Sequence, residues 1–330
     1  MKLLITGVTG FTGGHLAKLL VTAGHDVRGL VRQRSLNSVA TRNLEDNHVE
    51  VVVGDLVDPI SLDRACESVE LIYHIAATYR QAGQPNSAYW AINVQGTDNL
   101  LESARKTGVR RFVHCSTGGV HGHIDRPPAN EDAPLAPGDI YQRTKLEAEV
   151  LARQFGQVNS LDVVIARPIG IYGPGDTRFL KMFLGIAKGR FPILGSGEVF
   201  YHLTYIEDLV EGLKLCGEKT GASGQTYILA GPEYTTLNKL VQLISAELDV
   251  PTPRWRFPVW PFWLGGALCE LLCVPLKLEP PLYRRRVDFY TKSRAFDSSR
   301  AKRELGYAPN VDLRTGIKLT SDWYRQNGWL

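Results

Sequence analysis

The chain has 330 residues, of which 44% are hydrophobic and 22% charged. These are ordinary proportions for one large or two unequal globular domains, and they exclude a disordered chain, a fibrous protein and a polytopic membrane protein. The 38 Lys and Arg against 34 Asp and Glu leave a formal charge of +4, too small an excess at this length to point to a nucleic-acid partner.

Short apolar runs alternate with helical periodicity through the first half. Strands are expected at 3–6, 27–31, 49–53, 71–75, 112–116 and 163–166, and helices near 12–23, 61–66, 89–107 and 141–155. Continuous β-branched runs separated by crossover helices are the pattern of buried parallel strands. The expected class is α/β: a Rossmann-type doubly wound parallel sheet over residues 1–170, joined by later segments at about 199–230. A smaller mixed α/β C-terminal substrate lobe takes most of 171–330, with short strands near 199–204 and 226–230 and helices near 206–216, 236–248 and 312–326.

The first strand runs into Gly7-Val8-Thr9-Gly10-Phe11-Thr12-Gly13 at the start of a helix. Glycine lets the backbone turn sharply and approach a pyrophosphate, and the helix N-terminus offers free N–H groups. Gly7, Thr9, Gly10, Phe11, Thr12 and Gly13 are therefore candidate cofactor residues. About 20 residues further on, NAD binders usually carry an acid for the ribose hydroxyls. Here the second strand ends at Arg32, followed by Arg34 and Ser35. A cation there suits a 2′-phosphate, so NADP is expected, with NAD as the other possibility. The plain alternative is a solvated arginine beside the adenine.

Tyr141 and Lys145 stand at i and i+4, one face of a helix. An ammonium beside a phenol favours the phenolate, lowering its pKa from ~10. Such a tyrosine exchanges a proton with a substrate oxygen while a nicotinamide exchanges hydride with the carbon. The fifth strand ends in Cys115-Ser116-Thr117-Gly118-Gly119, at the carboxyl edge where ligands bind such sheets. A hydroxyl there can hold the substrate oxygen beside Tyr141.

Further motifs follow: Asp55-Leu56, His74-Ile75-Ala76-Ala77, Asn93-Val94-x-Gly96-Thr97, Arg167-Pro168 before Tyr172-Gly173-Pro174, Tyr205-Ile206-Glu207-Asp208-Leu209, and the run 296–307. With these the chain resembles the extended short-chain dehydrogenase/reductase family along nearly its whole length. The resemblance implies that Thr117 joins Tyr141 and Lys145 in catalysis. It places Asp55 and Leu56 near the adenine, Ala76 and Ala77 along the cofactor, and Pro168 and Ile169 near the nicotinamide. It also implies a homodimer through helices near 90–107 and 141–155.

Nucleotide-sugar members of that family carry an Asn and an Arg for the substrate diphosphate where this chain has Gly170 and Tyr201. Arg178, Lys181 and Arg190 are available as replacements. The run from Arg167 to Asp176 instead resembles the 3β-hydroxysteroid dehydrogenase and dihydroflavonol-reductase branches. The segment from Trp255 to Leu278, rich in Trp, Phe, Leu and Pro, suits either an apolar substrate wall or the core of the small lobe. Its apolar stretch 264–274 is shorter than the ~20 residues a spanning helix needs, so no integral span is expected. Arg284-Arg285-Arg286 reads as a solvated face rather than a lipid contact. His121 is taken as a substrate-pocket residue together with Gly170 and Tyr201, against a plain loop histidine.

Five unevenly spaced cysteines point to a reducing compartment, Cys269 and Cys273 to buried thiols, and no spacing suggests a metal. With no signal-peptide pattern at the start, cytoplasm is the expectation. The expected activity is an NADP-dependent oxidoreductase on a hydrophobic or polyphenolic small molecule, sterol- or flavonoid-like, interconverting a secondary alcohol and a ketone. The alternative is an NAD-dependent nucleotide-sugar epimerase or dehydratase. A non-enzymatic dinucleotide sensor is a third reading, and the Thr117, Tyr141 and Lys145 set argues against it.

Overall fold

The computed structural model describes residues 1–80, 83–273, 280 and 282–330. Its first half alternates β1 (Lys2–Thr6), α1 (Phe11–Thr22), β2 (Asp26–Val31), α2 (Val39–Asp46), β3 (Glu50–Val53), α3 (Pro59–Cys66) and β4 (Leu71–His74). Then come α4 (Asn86–Trp90), α5 (Gly96–Thr107), β5 (Arg111–Cys115), α6 (Ile140–Asn159) and β6 (Asp162–Pro168). The second half holds β7 (Ile171–Tyr172), α7 (Leu180–Ala187), β8 (Ile193–Leu194), β9 (Phe200–His202), β10 (Thr204–Tyr205), α8 (Ile206–Glu218) and β11 (Thr226–Leu229). It ends with β12 (Tyr234–Thr236), α9 (Leu237–Glu247), β13 (Arg256–Phe257), α10 (Val259–Cys273), α11 (Arg284–Thr291), α12 (Ser299–Leu305) and α13 (Leu313–Gln326).

Seven parallel strands form one sheet in the order β11-β6-β5-β4-β1-β2-β3. Side chains alternate across it. Leu3, Ile5 and Tyr73 face Leu16, Leu213 and Leu305 on one side, and Leu4, Ile72 and Phe112 face Leu62, Leu100 and Ala152 on the other. Successive strands are added in one direction from β1 to β3 and in the other from β4 to β6, and this switch between β1 and β4 opens a crevice beyond their carboxyl ends.

Two differences from the sequence reading carry physical reasons. The helix near 206–216 and the strand near 226–230 were read among the lobe's elements, although segments at about 199–230 were also given to the Rossmann sheet. The structure puts α8 against α1 and pairs β11 in parallel with β6. β11 is buried along its whole length, as a sheet strand covered on both faces must be, and a single sequence does not say which strand it joins. The single helix expected over 89–107 is interrupted by one wide π turn at Ala91–Gln95. That turn carries Asn93, which accepts the Thr78 N–H at 2.7 Å and donates to Thr144 Oγ1 at 3.0 Å, tying the loop after β4 to α6.

The remaining elements form a second cluster beside the carboxyl edge. β9 pairs antiparallel with β12, whereas β10 pairs in parallel with β7 and β13 in parallel with β8. Met182, Phe183, Leu240, Ile244, Ile317 and Tyr324 make its core.

Candidate active site

The β1–α1 turn is compact for a steric reason. Gly7 has φ +73°, and a Cβ on Gly13 would sit 2.3 Å from the Gly7 carbonyl oxygen. A Cβ on Gly7 would lie 2.7 Å from the Ala76 nitrogen, so this turn is pressed against the end of β4. Gly10 caps α1 without a side-chain hydrogen bond, so the first-turn N–H groups of Phe11, Thr12 and Gly13 are not covered by a side chain. The Arg178 guanidinium, paired with Asp176 at 2.7 Å, lies 5.5 Å from the Phe11 ring centre. Bare N–H groups and a cation at one helix end fit a pyrophosphate.

The adenine end is laid out on β2 and β3. Arg32 is exposed, with no ion pair among the described residues. Partial burial and then Arg34 pull its pKa down, and Asp55 opposes them, so the three groups share one patch. Asp55 accepts the Val57 N–H at 3.2 Å, while the Leu56 carbonyl accepts from Asn99 at 2.8 Å, which fixes this turn.

Between the sheet edge and the second cluster lies a cavity of about 480 Å³. Of the predicted residues it brings together Thr12, Ala77, Thr117, Tyr141, Lys145, Pro168, Ile169, Gly170 and Tyr201. Gly7, Thr9, Gly10, Phe11, Gly13, Arg32, Asp55, Leu56 and Ala76 lie outside its lining, along the crevice where the turn and the patch were just described. Thr117 ends β5 in extended conformation, its Oγ1 accepting the Gly119 N–H at 3.1 Å.

α6 starts at Asp139, whose carboxylate accepts the Gln142 N–H at 2.9 Å and pairs with Arg80 at 2.8 Å. One turn on, the Tyr141 ring meets Tyr79 edge-on at 4.9 Å, and the Arg80 guanidinium lies 5.6 Å from its centre. Burial pushes the Tyr141 phenol up, and the Arg80 charge opposes that rise. Lys145 is buried, and burial lowers its ammonium to about 8. Its Nζ lies 3.3 Å from His114 Nε2. The sequence reading made Lys145 the cation that acidifies Tyr141. In the structure the Lys145 ammonium meets His114, and Arg80 is a cation that opposes the rise of the phenol.

His121 does not line the cavity. It is 1% exposed, and the 3₁₀ turn Gly118–His121 points its ring inward. Arg167 Nη1, which can only donate, lies 3.0 Å from Nε2, so Nδ1 carries the proton and donates to the Pro134 carbonyl at 3.2 Å. Burial and the Arg167 charge hold it neutral. His121 therefore belongs to a buried network beneath the site. There Arg167 pairs with Glu149 at 2.6 Å, and Glu149 also accepts from Ser116 at 2.8 Å and Arg153 at 2.9 Å. Sequence reasoning missed Glu149, although it stands four residues past Lys145 on α6.

The described residues 255–273 of the segment from Trp255 to Leu278 belong neither to the cavity lining nor to the hydrophobic core clusters. Trp260 and Leu271 are 68% and 69% exposed on α10, and Trp255, Trp263, Leu268 and Leu272 also face outward. Residues 274–278 of that segment lie outside the described residues. Cys269 and Cys273 are half-buried rather than buried. Lys181 and Arg190 are exposed and off the lining. Instead Phe179, Met182, Leu203, Phe289 and Phe296, with Arg294, line the cavity from the second half of the chain. Their scattered positions left no local signal. Among the described residues no helix is long and apolar enough to cross a membrane.

Residues 3–230 match the model of the NAD dependent epimerase/dehydratase family. The chain is 32% identical to sterol demethylase protein B of Methylococcus capsulatus, covering 100% of both chains. It is 29% identical to 3beta-hydroxysteroid-dehydrogenase/decarboxylase isoform 2 of Arabidopsis thaliana, over 97% of this chain and 61% of that protein. Among solved structures, gox2253 superposes with a TM-score of 0.84 at 31% identity, covering 99% of each chain.

Proposed function

We propose a particular reaction for this chain, which belongs to the NAD-dependent epimerase/dehydratase family and is an NAD(P)-dependent enzyme of the extended short-chain dehydrogenase/reductase type. The reaction is NADP-dependent interconversion of a secondary alcohol and a ketone on an apolar small molecule of sterol-like or polyphenolic character. The observation that carries it is one cavity lined by Thr117, Tyr141 and Lys145 from the first half of the chain and by Phe179, Met182, Leu203, Phe289 and Phe296 from the second. Relatives named for sterol and hydroxysteroid chemistry support the substrate class.

The free N–H groups of α1 and the Arg178 cation would hold the pyrophosphate, Asp55 and Leu56 the adenosine, and Arg32 the 2′-phosphate. When bound, the cofactor gives or takes a hydride at the substrate carbon. Tyr141 donates its phenolic proton to the oxygen that becomes the alcohol, and accepts it in the reverse direction. Burial keeps that phenol protonated at neutral pH, which suits it to ketone reduction. Thr117 donates to the same oxygen and fixes its position. Lys145, charged below about pH 8, holds the ribose hydroxyls and steadies a phenolate in the oxidative direction.

A second reading, nucleotide-sugar epimerisation, is favoured by one observation: Arg294 lines the cavity with no carboxylate partner among the described residues, a cation for a substrate diphosphate. The test is oxidation of NADPH by a panel of apolar ketones and of UDP-sugars. Tyr141→Phe is expected to lower kcat by about 10²–10⁴-fold with cofactor affinity unchanged. Turnover retained in that variant would remove the reading.

A further inference from the structure

We propose that the outer face of α10, with the aromatic side chains at β13, docks on a lipid bilayer surface with anionic headgroups. The docking does not depend on the reaction proposed above.

α10 inverts the usual arrangement of a surface helix. From Val259 to Cys273 it carries one charged residue, Glu270. A helix apolar all round belongs in a core or in lipid. Yet Gly266 is its one buried residue among those described. The helix meets the protein through that glycine: a Cβ on Gly266 would lie 2.9 Å from the Arg284 nitrogen at the start of α11. The large side chains are on the other side. Trp260, Trp263, Leu264, Leu268, Leu271 and Leu272 are all exposed. At ~100° per residue these positions cover roughly half the helix circumference, centred away from Gly266. The face continues before the helix start, where the Trp255 and Phe257 rings lie 6.3 Å apart and Phe257 lies 6.0 Å from Phe262. Scattered exposed leucines are ordinary, but a contiguous face of this kind marks a contact surface.

Charge selects a lipid surface as the occupant. The Glu270 carboxylate is engaged by Arg284 at 2.7 Å, so α10 adds no open negative charge. Arg254 and Arg256 flank Trp255, are exposed, and pair with no carboxylate of the described residues. Arg256 donates to the Ser196 carbonyl at 2.8 Å and to Asn238 Oδ1 at 3.1 Å, which fixes its charge at the edge of the face. The Arg284 guanidinium lies 5.8 Å from the Trp263 ring centre. Tryptophan rings favour the headgroup level, and arginines beside them meet lipid phosphates.

Geometry decides how the helix sits. Its 15 residues extend about 22 Å, short of the ~30 Å hydrocarbon core, so α10 lies in the plane of the interface rather than across it. α10 packs on α11, and α11 carries Phe289 of the cavity lining. An apolar molecule dissolved in the docked bilayer therefore starts one helix away from the cavity.

Cosedimentation of the full chain with vesicles tests this without requiring turnover. Vesicles of equal parts phosphatidylcholine and phosphatidylglycerol are expected to bind the protein about tenfold or more tightly than phosphatidylcholine alone. Trp260→Ser combined with Trp263→Ser is expected to weaken the partition by about tenfold or more, with the urea midpoint of unfolding unchanged. Arg254→Ala is expected to weaken it by about fivefold, a difference that high salt removes. Tyr141→Phe is expected to bind vesicles as wild type does, so loss of docking and loss of the reaction are read separately. No cosedimentation with the anionic vesicles, or a partition unchanged in the double tryptophan variant, overturns the proposal. A concentration-dependent dimer that the tryptophan variant abolishes, with no vesicle binding by wild type, assigns the face to a second copy instead.

Discussion

The two walls of the cavity treat buried polar groups in opposite ways. Behind the sheet wall, Glu149 is met by Ser116, Arg153 and Arg167, and Arg167 is held again by His121 and the Glu131 carbonyl. In the lining from the second half of the chain, Arg294 Nε and the Tyr201 hydroxyl are buried with no hydrogen-bond partner among the described residues. A buried group whose partner is part of the chain maintains the shape of the site. One without such a partner bears the cost of desolvation uncompensated. The sheet side also has buried atoms without a partner among the described residues, His114 Nδ1 being one. It lies beside Lys145, where that wall meets the chemistry.

The comparison can be broken hardest on its paired side. Glu149→Gln leaves the Arg167 charge buried without its counter-ion, and unfolding in urea is expected to register a loss of about 3–5 kcal/mol. Hydrogen bonds from Arg167 and Ser116 hold the Glu149 carboxyl below 4.5, against the opposing effect of burial. Its contribution is therefore complete above pH 4.5 and is lost as pH falls through the lower folded value, and the variant should lack that acid limb.

Lys145 should show the reverse sign. Its folded value of about 8 lies below the ordinary 10.5, so between them the unfolded chain binds a proton that the folded chain does not. Stability from this group rises with pH across that window, by roughly 1–3 kcal/mol. Comparing unfolding of wild type and Lys145→Met at pH 8 and pH 10 checks it: the rise should be absent in the variant.

Arg32→Ala is a smaller perturbation, confined to the adenine end. The ratio of kcat/KM for NADPH over NADH is expected to fall about tenfold, and an unchanged ratio would leave Arg32 a surface charge. Smallest of all, Trp260→Ser on the outer face of α10 is expected to change stability by no more than about 0.5 kcal/mol, since that side chain is 68% exposed.

The walls also differ in how much of them can be read from sequence. The sheet wall comes from local patterns: a glycine turn after a strand, Thr117 at a strand end, and Tyr141 and Lys145 one helical turn apart. Each is decided by nearby residues, and each arrives at the cavity. His121 was misplaced because nearness to Thr117 in sequence says nothing about which way a 3₁₀ turn directs a ring. The aromatic density after Trp255 has no clean period, so it did not reveal an outward-facing helix. The far wall is assembled from residues 179, 182, 203, 289, 294 and 296, on separate elements that only tertiary packing brings together. Arg294 precedes the 296–307 motif by two residues, and nothing local distinguishes it from the other arginines nearby.

The order of strands in the sheet has a consequence for how the chain is made. Roughly 60 residues separate the end of β6 from the start of β11, so at ~5–20 residues per second a ribosome delivers the closing strand several seconds later. Until it arrives, one side of β6 presents bare N–H and C=O groups to other nascent chains and to holding chaperones. A chain that stops near residue 220 would keep that edge open for good, although it already carries Thr117, Tyr141 and Lys145.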